Sequence, residues 1–151
     1  MTNKVVSRIK LTQERVPADI PEMKISSADD VVKAVKSLPH ADREKFLALH
    51  LDTRNNLNAV EEIAVGALNA TLVHPRETFK NAIINQSAAI VIVHNHPSGD
   101  PEPSDEDITI CKLMVQAGKF LGIEVLDCVI VADDKKFSMA EQSPESLKGV
   151  E

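Results

Sequence analysis

The 151-residue chain has no tryptophan, no tyrosine and only four phenylalanines. A platform that stacks successive bases needs aromatic faces, so a single-strand-binding surface is hard to build here. Positive charge is also short: 17 Lys and Arg face 23 Asp and Glu, for a net charge of −6. Non-specific affinity for a phosphate backbone rests on cations. Duplex DNA binding is therefore expected to be weak and to fade between ~50 and ~200 mM salt, unless a local basic patch supports it. No apolar run approaches the ~20 residues that span a bilayer. The start, MTNKVVSRIK, lacks the apolar core of a signal peptide, so a cytoplasmic protein without a membrane partner is expected. Two cysteines, Cys111 and Cys128, are too few for a disulfide framework. They are read as reduced thiols, Cys111 on the apolar face of a helix and Cys128 in an apolar strand.

What is present is ordinary for a globular chain. The hydrophobic fraction is 43% and the charged fraction 26%, and the length suits one domain with its own core. Residues 1–24 read as an arm, with one strand around Val5 to Leu11, and residues 25–151 as the domain. SSADDVVKAVKSL is a helix capped by Ser27, with Val31, Val32, Val35 and Leu38 at helical spacing. EKFLALHLD alternates as a strand: Phe46, Ala48 and His50 face one way, Leu47, Leu49 and Leu51 the other. TRNN is a turn and LNAVEEIAVGAL the returning strand. LNATLV reads as a further strand. HPRETFKNAII starts a helix with Pro75 at its first position. AAIVIVH is a buried strand, and Ser104 to Leu121 a long helix closed by Gly122. IEVLDCVIV, the turn ADDKK and a short strand FSM complete an α/β fold: one mixed sheet flanked by helices.

HNHPSGDPEPSDED, residues 94–107, holds two of the five histidines. Residues i and i+2 of a strand share a face. His94 and His96 therefore project together from the strand's end, while Asn95 points the other way. Asp107, the eleventh residue after His96, falls in the first turn of the next helix. Two imidazoles and a carboxylate are a usual ligand set for catalytic zinc, with the fourth position open to water. Pro97, Pro101 and Pro103 reduce the entropy lost in fixing the loop. Ser104 and Asp107 also fit a helix cap, but a cap does not call for two histidines beside it.

H-x-H-P, with seven residues between the second His and a Ser and then two residues and an Asp, is the metal signature of the JAB/MPN (JAMM) metalloprotease superfamily. Here it is His94, His96, Pro97, Ser104 and Asp107. Within that superfamily, HNHPSGDPEPSDED, VHPRETFKNAI and AGKFLGIEVLDCVIV resemble the RadC-like group. The resemblance runs from about Glu44 to the end, roughly two-thirds of the chain. It implies an MPN/JAB domain of cytidine-deaminase-like architecture, with Zn²⁺ on His94, His96 and Asp107. It also implies that Ser104 helps stabilise the oxyanion. An upstream glutamate would serve as general base to the zinc water and then pass the proton to the leaving amine. Glu44, before KFLALHLD, matches that glutamate best. Glu61, Glu62 and Glu77 compete: the first two are neighbours in a strand, so at most one faces inward, and Glu77 suits a helix start by dipole alone.

The chain departs from the group where Cys128 replaces a frequent His and Ala67 a frequent Thr or Ser. Neither is a motif ligand. Met1 to Met23 also lacks the helix-hairpin-helix pattern of longer relatives. His74 and Arg76 flank a helix start and are candidates for binding an anionic or carboxyl group, a solvated cap being the alternative. His50 reads as a satisfied core or edge histidine. Three functions compete: a zinc hydrolase acting on a peptide, isopeptide or related amide bond of a protein or peptide substrate; a metal-dependent DNA-processing or repair-associated protein; and a metal-free scaffold. The complete ligand set opposes the scaffold. Net acidity and a one-metal ligand count oppose the nuclease, although Glu102, Asp105 and Glu106 lie nearby.

Overall fold

The computed structural model describes residues 7–10, 20, 22–66 and 73–148. Period-two alternation in β1 (Lys45–Leu51) divides the core in two. Phe46 enters one hydrophobic cluster, while Leu47, Leu49 and Leu51 enter the other. Asn55, in a left-handed conformation with φ 62°, turns the chain into β2 (Leu57–Val65), which pairs antiparallel with β1. The other edge of β1 pairs antiparallel with β3 (Ala89–Asn95), whose seven residues are all buried. β3 runs parallel to β4 (Glu124–Ala132), and β5 (Lys135–Ser138) closes an antiparallel hairpin. The sheet order is β2-β1-β3-β4-β5.

Strands buried on both faces need cover on both. α1 (Ala28–Ala34) starts at Ser27, whose hydroxyl accepts from the Asp30 N–H. It buries Ala28 and Val31 against Leu49, Val91 and Val129. On the opposite face lie α2 (Pro75–Ile84) and α3 (Asp105–Leu121). Phe79 and Ala82 of α2 join Ile110, Met114 and Val115 of α3 over Ile90, Ile92 and Ile130. Gly122 ends α3 at φ 69°, where an L side chain is disfavoured. The mixed sheet flanked by helices is the expected α/β class.

Three expectations change. The last strand covers Lys135–Ser138 rather than FSM, and Met139 opens a short helix, α4 (Met139–Gln142). Asp127 captures that helix: its carboxylate accepts from the Ser138 hydroxyl and the Ala140 N–H. Second, residues 7–10 carry no strand; the rest of the Val5–Leu11 segment, most of LNATLV, and Ala67 lie outside the described residues. Third, Cys111 and Cys128 are not free thiols. They form a disulfide, with Cα atoms 6.2 Å apart. The same burial that marks each as a core residue brings them together, since α3 lays Cys111 over the face of β4 that carries Cys128.

His50 is the satisfied core histidine its alternation suggests, 1% exposed. Its Nδ1 lies 3.0 Å from Ser87 Oγ and its Nε2 2.9 Å from Glu61, and Asn81 holds the other Glu61 oxygen. Burial pushes the His50 pKa down, more than the Glu61 carboxylate raises it. A base with a depressed folded pKa favours folding while neutral. That stability is present above the unfolded pKa near 6.5 and is lost as pH falls below it. Urea melts between pH 7 and 5 should thus show wild type losing stability more steeply than His50→Gln. Parallel curves would count against the assignment.

Candidate metal centre

Strand pairing and a helix cap build the centre. β3 delivers His94 beside Phe46 of β1, its register partner, and the two rings stack with centroids 6.2 Å apart. One residue past the strand, the His96 N–H donates to Val131 O at 2.9 Å, so His96 is still held by the sheet. Its imidazole Nδ1 lies 2.8 Å from the Asp100 carbonyl. A hydrogen on Nδ1 leaves the Nε2 lone pair directed into the site, the usual arrangement behind a metal-binding histidine. The loop turns at Gly99, φ 85°, where an added Cβ would sit 2.7 Å from an Asp133 carboxylate oxygen.

The third donor comes from the start of α3. Ser104 Oγ accepts from the Asp107 N–H at 3.1 Å, and the Asp107 carboxylate accepts from the Ser104 N–H at 2.8 Å, completing a capping box. Asp107 Oδ1 lies 3.1 Å from His94 Nε2 and its Oδ2 3.2 Å from His96 Nε2, and the two Nε2 atoms are 3.2 Å apart. Donors around a tetrahedral zinc with bonds near 2.05 Å are separated by about 3.3 Å. One ligand atom from each of the three residues lies within 4.8 Å of the others, a grouping that could hold one small cation. Burial alone would raise the Asp107 carboxyl, but hydrogen bonds from His94 and His96 outweigh it and hold the group well below the usual carboxylate range. The same bond to Asp107, against burial, raises His96.

Glu44, His96, Ser98, Ser104, Glu106 and Asp107 line one open cleft. A second, largely apolar pocket shares Asp107 with it and is lined by His94, Phe46, Ile92, Ile110, Met139 and the Cys111–Cys128 pair. Alternation along β1 puts Glu44 on the Phe46 and His94 face. The competing glutamates are engaged elsewhere: Glu61 with His50, Glu62 with Lys45 and Glu77 with Lys80. His74 caps α2, its Nδ1 accepting from the Arg76 N–H at 3.1 Å. Neither His74 nor Arg76 lines the cleft. Asn95 escapes the sequence reading. It is buried and hydrogen-bonded to the backbone of residues 43 and 45. The signal that could have found it is a polar side chain on the far face of an apolar strand, which needs partners.

Residues 25–144 match the family model described as "RadC-like JAB domain". Among curated relatives, a UPF0758 protein of Methanococcoides burtonii is 48% identical over 126 residues, covering 82% of this chain and 55% of its own. One from Methanosarcina mazei is 45% identical over 123 residues, covering 81% and 54%. One from Alkaliphilus metalliredigens is 46% identical over 137 residues, covering 90% and 57%. The chain thus spans about half the length of the curated relatives it matches.

Proposed function

Since the chain belongs to the RadC-like JAB domain family, we propose that it is a zinc-dependent hydrolase of a peptide, isopeptide or related amide bond. The observation that carries this reading is the convergence of His94, His96 and Asp107 at mutual separations suited to a tetrahedral ion. These three would hold the metal. A bound zinc supplies Lewis acidity and lowers the pKa of a water in its open position toward ~7. Glu44 takes the proton of the attacking water and hands it to the departing amine. Ser104 spends an acceptor site on the Asp107 N–H; its own O–H can donate to the carbonyl oxygen as charge develops there.

The cleft walls favour a protein or peptide chain over a polyphosphate. Glu44, Glu106 and Asp107 line them, and a phosphate backbone would meet like charge. Among the described residues no helix is long and apolar enough to cross a membrane.

Two measurements test the reading. Elemental analysis should find close to one zinc per chain in wild type and almost none in a His94→Ala, His96→Ala double variant; equal, negligible zinc in both refutes the metal site. A peptide and isopeptide cleavage screen should find activity that a chelator removes and zinc restores. A tight, salt-resistant complex in a DNA gel-shift titration would instead put the DNA-processing reading first.

A further inference from the structure

We infer that Asn95 is a positioning residue for Glu44, acting through the two peptide groups that flank it. The inference rests on the reading of Glu44 as the proton carrier. Asn95 lies between the two metal-binding histidines, yet its side chain is on the opposite face of β3 and is fully buried. Its Oδ1 accepts from the Lys45 N–H at 2.7 Å, and its Nδ2 donates to the Arg43 carbonyl at 2.9 Å. The Arg43 carbonyl belongs to the peptide group before Glu44, and the Lys45 N–H to the one after it. With both peptide planes held, φ and ψ of Glu44 are fixed, and so is the direction of its Cα–Cβ bond. A third bond, from the Gly66 N–H to the Glu44 carbonyl at 2.8 Å, ties the same residue to the end of β2.

The register explains why a side chain is used. Main-chain pairing between β1 and β3 ends at Phe46 and His94. The next rung would set Lys45 opposite Asn95, and the carboxamide supplies that rung's acceptor and a donor besides. Packing alone does not call for an amide here, because leucine would fill a similar volume. A buried amide without partners is costly, so this one is tolerated only with its two bonds made. One residue thereby links the ligand strand to the base: β3 carries His94 on one face and, through Asn95 on the other, sets where Glu44 stands relative to it.

The test uses Asn95→Leu in the full chain, alone and combined with Glu44→Gln, with Asn95→Ser as a second variant should the leucine disturb folding. Zinc content should stay near wild type. Amide hydrogen exchange at Lys45 should accelerate, and the Glu44 carboxyl NMR signal should lose its wild-type response to added zinc. On a substrate from the cleavage screen, kcat should fall ~10²-fold, the scale of a misplacement near 1 Å, with KM little changed. In the Glu44→Gln background the same substitution should cost nothing further. An unaltered Lys45 amide, or a loss that multiplies that of Glu44→Gln, overturns the inference while leaving the proposed function intact. Full activity in Glu44→Gln would instead remove the Glu44 reading and this inference with it.

Discussion

Replacing Glu44 by glutamine is expected to leave the zinc in place and to lower the hydrolytic rate by ~10² to 10⁴, the usual contribution of a positioned general acid–base. The substitution preserves shape and removes only the ability to hold a proton. Glu44 lines the cleft with His96, Ser104 and Asp107, whereas the three mutually close donors are His94, His96 and Asp107. Zinc content and rate should therefore separate: Asp107→Asn loses metal and rate together, Glu44→Gln loses rate alone. Loss of zinc from Glu44→Gln would make Glu44 a ligand. Full activity there, with activity abolished in a zinc-loaded Glu61→Gln, Glu62→Gln or Glu77→Gln protein, would pass the role to another acid. None of those three lines the cleft that Glu44 shares with His96, Ser104 and Asp107, which argues against that outcome.

A second large effect is expected from opening the Cys111–Cys128 bridge. The bond joins residues 17 apart in sequence, pins α3 to β4 and lines a pocket with His94 and Asp107. Closing a loop of that length stabilises a fold by roughly 3 kcal/mol in the chain-entropy account. For a protein of this size that corresponds to a melting temperature about 6–12 °C higher. Protein unfolded without reductant should show no titratable thiol, and treatment with a thiol reductant should lower the melting temperature by that amount. Two free thiols and a melt indifferent to reductant would restore the reduced-cysteine expectation.

The parts of this molecule that were legible in the sequence are those whose information is local. The two faces of β1 follow from strict alternation of large residues, and the donor triad follows from an i, i+2 pair and a capped helix eleven residues on. Pro75 and Gly122 mark helix ends because each restricts or frees one backbone position. What escaped depends on pairings across distance. The partners of Asn95, residues 43 and 45, lie about fifty positions away and bind through their main chain, which leaves no mark in residue type. Cys111 and Cys128 were each placed on an apolar face, but that the faces meet depends on how α3 lies across the sheet. His50 could be called buried, whereas its choice of Glu61 over Glu62 depends on the β1–β2 register, which shifts between Phe46 and Leu47. Helix α4 was missed because one turn held by Asp127 and Ser138 carries no periodicity of its own.

The capping box at the start of α3 bears on how the protein would take up the proposed zinc. A zinc finger folds only around its metal, so loading and folding are one event. Here the Asp107 carboxylate is oriented by the Ser104 N–H, His96 by the Asp100 carbonyl, and His94 by strand pairing beside Phe46. Among the described residues, the hydrophobic clusters on both faces of the sheet are built without His94, His96 or Asp107. If the proposed zinc is bound, loading and folding would then be separate equilibria, and occupancy would follow the supply of zinc without passing through the unfolded chain. Under that proposal, protein short of zinc would stay folded but inactive, and resupplied ion would restore it without new synthesis.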